Sequence, residues 1–446
     1  MKRIKIGLWA FILGISALWF LADSLLPQPF NYFSFRYVFN QYSGVLAMGA
    51  MSLCMLLSIR AKWLENILQG LDKGYRLHKW LGITALVSAL AHFWFTKGTK
   101  WMVGWGWLTR PERKRPQGAQ QAVQTLEPWL GSMRGVAESV GEWAFYVAAV
   151  LMMMALIKAI PYHWFVKLHK WLALAYLALV FHAVVLLKFA YWTQPIGWVM
   201  AILLMGGVAS ALWVLLKRHG AAQRSTGTVQ TIQTYPHIQS VALEIHAPAW
   251  AGHQAGQFAF LRHPHDHESA HPFTIASAWQ AHTQQLRFLV KDLGDYTHRL
   301  TEHFKVGEQV ILEGPYGRFH FRDDAQAQVW VAGGIGITPF MARLEELAHA
   351  GGSTLPIHLF YSYRNDDPVL RETLQRHAQA AKVVLHLWAS QENGRLNSEH
   401  IRAVINEGQP TSVWFCGDAT FGRGLQKGLS AYVPAHRFHQ ELFEMR

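Results

Sequence analysis

Six apolar stretches in the first half of the chain are each long enough to cross a bilayer. A hydrocarbon core about 30 Å thick needs about 20 apolar residues per helix, and only helices or closed barrels satisfy their backbone hydrogen bonds within it. The first stretch is too long for the apolar core of a signal peptide, so we interpret it as a membrane helix. The sequence thus predicts an all-α bundle of six spans, at residues 6–26, 42–59, 77–96, 143–160, 165–188 and 195–216.

The charge of the chain is divided unevenly between its two halves. A net charge of +13 over 446 residues would suit a nucleic-acid-binding protein. However, residues 1–219 contain 22 basic and seven acidic side chains, whereas residues 220–446 contain 19 and 21. Fifteen of the 20 tryptophans also lie in the first half, which is typical of membrane interfaces. The positive charge therefore indicates membrane topology, and we expect no nucleic-acid partner.

The basic residues also predict an orientation. With a cytoplasmic N-terminus, the inner segments carry 13 Lys and Arg and the outer segments nine, of which seven lie in the loop 97–142. We therefore expect both termini in the cytoplasm. The compact chain without long insertions favours, by analogy, a bacterial inner membrane. Two cysteines, Cys54 and Cys416, are too few for a disulfide framework or an iron–sulfur cluster.

The second half changes pattern twice. From Thr226, short alternating strands at 228–234, 241–246, 286–291 and 309–313 predict an antiparallel β-barrel. After Asp324, buried-strand runs at 329–332, 357–361, 383–387 and 412–416 alternate with helices, which predicts an α/β doubly wound parallel sheet. We therefore expect three domains, at 1–219, 220–324 and 325–446.

Four histidines lie within two of the predicted spans. His78 and His92 are 14 residues apart in the third span, and His169 and His182 are 13 apart in the fifth. These spacings correspond to roughly 21 and 20 Å of helix. Because the two spans run in the same direction, His78 would lie at the same membrane depth as His169, and His92 at the same depth as His182. A single such histidine is more often a hydrogen-bonded core residue, but ionisable groups at this depth favour a function. Two cross-helix pairs would ligate two b-type haems.

The fifth span raises a geometric difficulty. Thirteen residues at about 100° each place His182 about 140° away from His169 around a regular helix. The helix must therefore bend, bulge or rotate if both are to face the third span. His163 is the alternative ligand, and a metal or proton transporter is the competing use of such histidines.

A glycine-rich turn follows the strand at 329–332. Val331-Ala-Gly-Gly-Ile-Gly-Ile-Thr-Pro-Phe340 leads into a helix, whose N-terminal N–H groups favour a pyrophosphate. We expect Thr338 to cap this helix and Pro339 to begin it. Glycine turns of this kind are also often purely structural.

Four motifs of the second half occur in a characteristic order after the spans. They are His271-Pro-Phe-Thr-Ile-Ala-Ser277, Glu313-Gly-Pro-Tyr-Gly317, Gly333-Gly-Ile-Gly-Ile-Thr-Pro339 and Cys416-Gly-Asp418. With the four histidines, they resemble the NADPH oxidase/ferric reductase family, and residues 220–446 resemble a ferredoxin-NADP reductase-type dehydrogenase. The resemblance runs from about Tyr42 to Phe443.

The resemblance implies roles for individual residues. His271, Pro272, Phe273 and Thr274 would hold the isoalloxazine of FAD, and Lys291, Gly294, Tyr296 and Thr297 would bind its pyrophosphate. Gly333, Gly334, Gly336 and Thr338 would bind the pyrophosphate of the nicotinamide dinucleotide. Arg364 would meet a 2′-phosphate, which favours NADPH over NADH, unless it is a solvated loop residue. Cys416 and Gly417 would lie near the nicotinamide, and Phe443 would stack on the flavin.

The sequence thus predicts a transmembrane oxidoreductase that passes electrons from NADPH through FAD and two haems to the outer face. We expect dioxygen as the acceptor. A ferric complex or a partner protein would use the same relay, and the basic loop 97–142 would either attract an anionic acceptor or bind lipid phosphates. The alternative from another class is a non-catalytic haem or metal transporter with a nucleotide-sensing tail. The oligomeric state is not predicted.

Overall fold

A computed structural model describes residues 2–68, 70–109, 126–157, 159–160, 162–216, 220–264, 270–292, 295–298, 300 and 304–441. The chain forms two compact units that meet in sequence at 219/220, with residues 69–72 grouped with the second. The boundary between the second and third predicted domains, at 324/325, stays a prediction.

The first unit is helical throughout its described residues. A π-helical turn, Trp94–Gly98, continues the fourth helix into the fifth, and a 3-10 turn lies at Phe189–Thr193. A further 3-10 turn, Ala221–Gln223, lies at the start of the second unit. The helices are α1 (Lys2–Ala22), α2 (Tyr32–Ser58), α3 (Lys62–Leu68), α4 (Leu71–Phe93), α5 (Thr99–Gly104), α6 (Leu126–Ser132), α7 (Arg134–Leu156), α8 (Tyr162–His169), α9 (Trp171–Leu186) and α10 (Pro195–Leu215).

Within the described part of the chain, five helical segments have the length and hydropathy of membrane spans: Ile4–Ala22, Tyr32–Ser58, Arg134–Leu156, Trp164–Leu186 and Pro195–Leu215. The predicted span 77–96 is helical but is not among these five, because α4 is less apolar: its first turns are charged, and His78, Lys79 and His92 lie within the predicted span. The predicted second and fourth spans began too late, at 42 and 143. Both helices begin earlier in the sequence, α7 at Arg134 and α2 at Tyr32, after a capping box on Asn31.

The second unit begins with a six-stranded antiparallel sheet of order β4-β3-β6-β1-β2-β5. The four predicted strands are confirmed as β1, β2, β5 and β6, while β3 and β4 were not predicted. One bridge, between Ile275 and Phe288, connects the segment after β4 to β5 at the opposite edge, and no closed barrel is formed by the described strands. The strands are β1 (Arg224–Tyr235), β2 (Ser240–His246), β3 (Phe258–Arg262), β4 (His271–Thr274), β5 (Gln285–Lys291) and β6 (Gln309–Tyr316).

A five-stranded sheet of order β11-β10-β7-β8-β9 follows, with every pairing parallel. The predicted strand–helix alternation is confirmed, because parallel neighbours need crossover connections. Its strands are β7 (Ala327–Gly333), β8 (Ile357–Tyr363), β9 (Val384–Ala389), β10 (Thr411–Cys416) and β11 (Phe438–Glu441). The helices of the second unit are α11 (Asp295–His298), α12 (Thr338–His349), α13 (Pro368–Ala380), α14 (Ser390–Asn393), α15 (Ser398–Arg402) and α16 (Ala419–Gly428), with 3-10 turns at Pro236–Ile238 and Gly334–Ile337.

Candidate functional site

The four predicted histidines meet in two pairs between α4 and the α8–α9 segment. The ring centres of His78 and His169 are 5.9 Å apart, and those of His92 and His182 are 6.4 Å apart. A metal ion held about 2 Å from one nitrogen of each imidazole leaves the ring centres at about this separation. Among the described residues, no three His, Cys, Asp or Glu side chains converge on a metal position. The ring separation in each pair would let both imidazoles ligate one iron ion, as a b-type haem requires.

Backbone carbonyls orient three of the four rings. The Nδ1 atoms of His78, His92 and His182 lie 3.0, 2.9 and 2.8 Å from carbonyl oxygens. A carbonyl can only accept, so each Nδ1 carries the proton and each Nε2 keeps a free lone pair. Ligating histidines are usually held in this way. The acceptors are the carbonyls of Cys54, Asn40 and Ala137.

The fourth histidine differs. Nδ1 of His169 is buried and has no hydrogen-bond partner among the described atoms. A buried polar atom without a partner is costly. Its ring stacks on Phe165, one helical turn earlier, with centres 5.0 Å apart. The structure does not describe the side chain of His163, the alternative ligand.

An irregularity separates the two histidines of the fifth span, as their spacing requires. Helix α8 ends at His169 and α9 begins at Trp171, with Lys170 between them. The N–H of Ala173 donates to the carbonyl of Lys170 in a three-residue turn at this point. The break removes the strict 100° step between the residues and lets both rings face α4.

A glycine of α7 makes room for His182. A Cβ at Gly141 would lie 2.5 Å from Cε1 of His182 and closer still to Nδ1. Only glycine permits this approach, because carbon atoms in contact are normally about 3.5–4.0 Å apart. Gly44 lies beside His92 with more space, since a Cβ there would be 3.5 Å from two ring atoms.

Arg36, which sequence reasoning overlooked, lies beside the His92 end of α4. Its Nε donates to the carbonyl of Phe95 at 2.6 Å, and Nη2 lies 3.4 Å from the carbonyl of Thr96. Both carbonyls belong to the π-helical turn, and such turns are frequent at functional sites. The only available sequence signal was a lone arginine at the polar start of a long apolar run.

The flavin motif His271-Pro272-Phe273-Thr274 forms β4, an edge strand that pairs with β3. Its edge position tolerates proline, which cannot donate to a ladder. Thr274 is 7% exposed, and its Oγ1 has no hydrogen-bond partner among the described atoms. A buried, unpaired hydroxyl at this motif fits a strand that receives a polar ligand.

A cavity of about 400 Å³ brings three predicted residues together: Lys291, Gly334 and Arg364. Its volume lies within the usual range of ligand pockets, roughly 300–1,000 Å³. Asp366 and Asp367 do not compete for Arg364, because Asp366 pairs with Arg371 and Asp367 caps α13. Sequence reasoning missed the remaining lining, which comes from separate loops: Ile238, Gln239, Ser240, Leu289, Ile335, Ile337, Tyr361, Tyr363, Asn365 and Gln391.

The two glycine turns meet at the ends of neighbouring strands. β7 ends at Gly333 and β10 at Cys416, and these strands are adjacent. A Cβ at Gly417 would lie 3.3 Å from Cα of Gly333, and one at Gly336 would collide with the carbonyl of Cys416. Gly334 adopts a φ of +54°. Here glycine is required by close backbone approach, as expected where a dinucleotide binds.

The expected cap of α12 is wrong in detail. Thr338 is the first helical residue rather than the cap, which is Ile337, and Pro339 is therefore the second helical residue. The Thr338 hydroxyl donates to the carbonyl of Ile335 at 2.6 Å. A preceding 3-10 turn, Gly334–Ile337, moves the helix start by one residue. Asp418, which follows the Cys-Gly pair, does cap its helix through the N–H groups of Thr420 and Phe421.

Cys416 is fully buried and lies 3.6 Å from Glu441. Burial and the neighbouring carboxylate raise the pKa of the Cys416 thiol well above its ordinary value. Burial also raises the pKa of Glu441, to about 8. A neutral thiol is a poor nucleophile, so a packing role for Cys416 is favoured over covalent chemistry.

Several predicted residues fall wholly or partly outside the description. Gly294 and Phe443 are not described. Tyr296 and Thr297 lie on α11, and of these two the structure describes the side chain of Thr297 alone. Most of the basic loop, at 110–125, is not described either. Of its flanking charges, Lys97 pairs with Glu142, and Arg134 pairs with Glu138.

Comparison with protein families divides the chain into three matches. Residues 43–180 match the ferric reductase like transmembrane component, residues 226–320 an FAD-binding domain, and residues 330–427 an oxidoreductase NAD-binding domain. The first match contains three of the four histidines, and the others contain the flavin motif and the glycine turns.

Individual curated proteins resemble part of the chain. The carnitine monooxygenase reductase subunit of Escherichia coli (strain K12) is 36% identical over 32% of this chain and 43% of its own length. The heme-dependent oxidative N-demethylase beta subunit of Ectopseudomonas mendocina (strain ymp) is 30% identical over 47% and 65%. The match thus spans less than two thirds of each.

Solved structures also resemble about half of the chain. The ferredoxin reductase in carbazole 1,9a-dioxygenase is 17% identical with a TM-score of 0.42, covering 49% of this chain and 69% of its own. The FAD/NAD-binding domain of nitric oxide dioxygenase from Vibrio cholerae O1 biovar El Tor is 21% identical with a TM-score of 0.42, covering 49% of this chain and 97% of its own. The ordered family matches show a ferric reductase/NADPH oxidase-like fusion, in which a ferric reductase-like transmembrane component is followed by a ferredoxin-NADP reductase-type FAD- and NAD(P)-binding module.

Proposed function

We propose that the protein transfers electrons from cytoplasmic NADPH through FAD and two b-type haems to dioxygen at the outer face of a bacterial inner membrane. The observation that carries this proposal is the pair of facing histidine couples, His78 with His169 and His92 with His182. The proposal includes a membrane crossing by α4, as the apolar run 77–96 predicts, and cytoplasmic termini, as the charge distribution predicts.

The histidines would act as axial haem ligands through Nε2. The carbonyls that accept from Nδ1 of His78, His92 and His182 fix the direction of these rings and leave Nε2 available as the ligand atom. When bound, FAD accepts a hydride from the nicotinamide and releases single electrons, which haem iron then carries one at a time. No side chain needs to act as a general acid or base.

The second unit would hold the flavin and the nicotinamide dinucleotide. We assign the isoalloxazine to β4 (His271–Thr274), where the free hydroxyl of Thr274 supplies a polar contact. Lys291, Tyr296 and Thr297, with Gly294, would bind the FAD pyrophosphate. The turn at Gly333, Gly334 and Gly336, with Thr338, would bind the second pyrophosphate at the start of α12.

Arg364 would select NADPH. It is exposed at the cavity that Lys291 and Gly334 also line, and it has no ion pair among the described residues. A free guanidinium binds a phosphate through charge-assisted hydrogen bonds. Cys416 and Gly417 would adjoin the nicotinamide, and Phe443 would stack on the flavin.

Transfer to a partner protein is the second candidate. Two relatives are named as a monooxygenase reductase subunit and a dioxygenase electron transfer component. Reduction of a ferric complex, which the name of the first family match suggests, would use the same residues.

Two measurements test these proposals. A reduced-minus-oxidised absorption spectrum of the purified protein should show b-type haem bands at two haems per chain. Their absence would refute the relay and favour a transporter. Cytochrome c reduction by NADPH should be abolished by superoxide dismutase if dioxygen is the acceptor, whereas undiminished reduction of a ferric chelate without oxygen would indicate a reductase.

A further inference from the structure

Glu345 connects the helix of the dinucleotide turn to the flavin sheet. It lies on α12, which begins directly after Gly334–Ile337. Its Oε2 accepts the backbone N–H of Ala278 at 2.7 Å, and its Oε1 lies 3.6 Å from Nη1 of Arg287 on β5. The Glu345 side chain is only 18% exposed. A charged acceptor makes the Ala278 bond one of the stronger kinds of hydrogen bond.

Ala278 directly follows the motif His271–Ser277, whose first four residues form β4, and Arg287 holds the end of this motif from the other side. The N–H of Ala276 donates to the carbonyl of Arg287 at 2.6 Å. The N–H of Arg287 donates to Oγ of Ser277 at 3.0 Å. The end of the flavin motif is therefore held by the main chain of Arg287 and by the side chain of Glu345.

The Arg287 side chain is itself fixed. Its Nε donates to Oε1 of Glu244 on β2 at 2.9 Å, and Oε2 of Glu244 accepts from the Thr231 hydroxyl at 3.0 Å. Arg287 therefore lies between two carboxylates, one on the flavin sheet and one on α12. Partly buried charges of this kind are screened less than fully exposed pairs.

We propose that Glu345 is a positioning residue for hydride transfer, setting the distance between the flavin motif and the dinucleotide turn. The inference rests on the proposed transfer from NADPH to FAD. A shift of α12 would move the turn at its N-terminus relative to β4. Hydride transfer is sensitive to such shifts, since a misplacement of 1 Å can cost about 100-fold in rate.

The test is anaerobic stopped-flow reduction of FAD by saturating NADPH in the full-length protein. Glu345→Ala removes both contacts, whereas Glu345→Gln keeps an acceptor for Ala278 but loses the charge facing Arg287. The matched control is Glu346→Gln, because this adjacent carboxylate pairs with Arg343 within α12. FAD content, NADPH affinity and dithionite reduction of the haems are measured on every variant.

We expect flavin reduction to slow by about 10- to 100-fold in Glu345→Ala. The rate should fall less in Glu345→Gln, and by less than twofold in Glu346→Gln. Glu345→Gln should keep its FAD content, and NADPH affinity should be unchanged in every variant. Flavin reduction within twofold of the parent in both Glu345 variants would overturn the proposal. Loss of FAD from Glu345→Ala with normal reduction in Glu345→Gln would also overturn it, as it indicates a merely structural role. If NADPH does not reduce the FAD of the parent protein, the proposed function fails instead.

Discussion

Replacing Gly141 by alanine should remove one haem while leaving the other. The new Cβ would lie 2.5 Å from Cε1 of His182 and closer to Nδ1. To reach an ordinary contact of about 3.5 Å, the ring must retreat by at least about 1 Å. That shift is half the length of an imidazole–metal bond of about 2 Å. It also disturbs the 2.8 Å bond from Nδ1 to the carbonyl of Ala137.

The expected loss of affinity is at least about 100-fold, the upper end of the effect of disturbing the groups that orient a ligand. The assay is the haem-to-protein ratio of the purified protein by pyridine haemochrome, which should fall from two to one. Gly135→Ala is the matched control in α7, because a Cβ there has no described atom within 4 Å. Gly44→Ala is the control beside His92, where the added carbon makes only an ordinary contact.

Two haems in Gly141→Ala, with an unchanged spectrum and unchanged midpoint potentials, would refute the ligand role of His182. Loss of haem in Gly135→Ala as well would show instead that α7 tolerates no substitution, and the steric argument would then fail.

Three further predictions concern single side chains. His92→Leu should also lower the haem-to-protein ratio from two to one, and retention of both haems would disprove the pairing. Arg364→Ala should raise KM for NADPH by about 10- to 100-fold, because one or two charge-assisted hydrogen bonds are lost, and should leave KM for NADH the same. Equal increases in both KM values would contradict the 2′-phosphate contact. The pKa of Glu441 is raised from 4.5 to about 8. Between about pH 5 and 8 the folded state therefore keeps a proton that the unfolded state loses, so folding stability should fall as the pH rises through this range. Glu441→Gln should flatten this fall in the thermal unfolding midpoint, and an unchanged slope would show that Glu441 does not cause it.

Predicting the strands from the sequence succeeded where the pattern was local. The alternation at 286–291 matched β5 closely, because that strand has one buried and one less buried face. β3 was missed since its first four residues are all buried, which removes the alternation. β4 was missed because it contains Pro272, which a strand tolerates only at a sheet edge. Neither the edge position nor the burial on both faces can be read from neighbouring residues.

The histidine pairs show the same limit. Their spacing predicted which residues would lie level, and it also predicted an irregularity in the fifth span. It could not locate that irregularity at Lys170, nor assign the carbonyls of Cys54, Asn40 and Ala137 as acceptors. Those acceptors lie 24 to 52 residues away in the chain.

Hydropathy, charge distribution and short motifs were sufficient to identify a helical membrane half and an FAD and NAD(P) half, because solvation and backbone chemistry act residue by residue. Packing alone brought Gly141 against His182, Arg36 against the π-helical turn and Glu345 against Ala278. Such contacts join segments that are distant in sequence, and their energies depend on distances of a few ångströms that only the folded chain establishes.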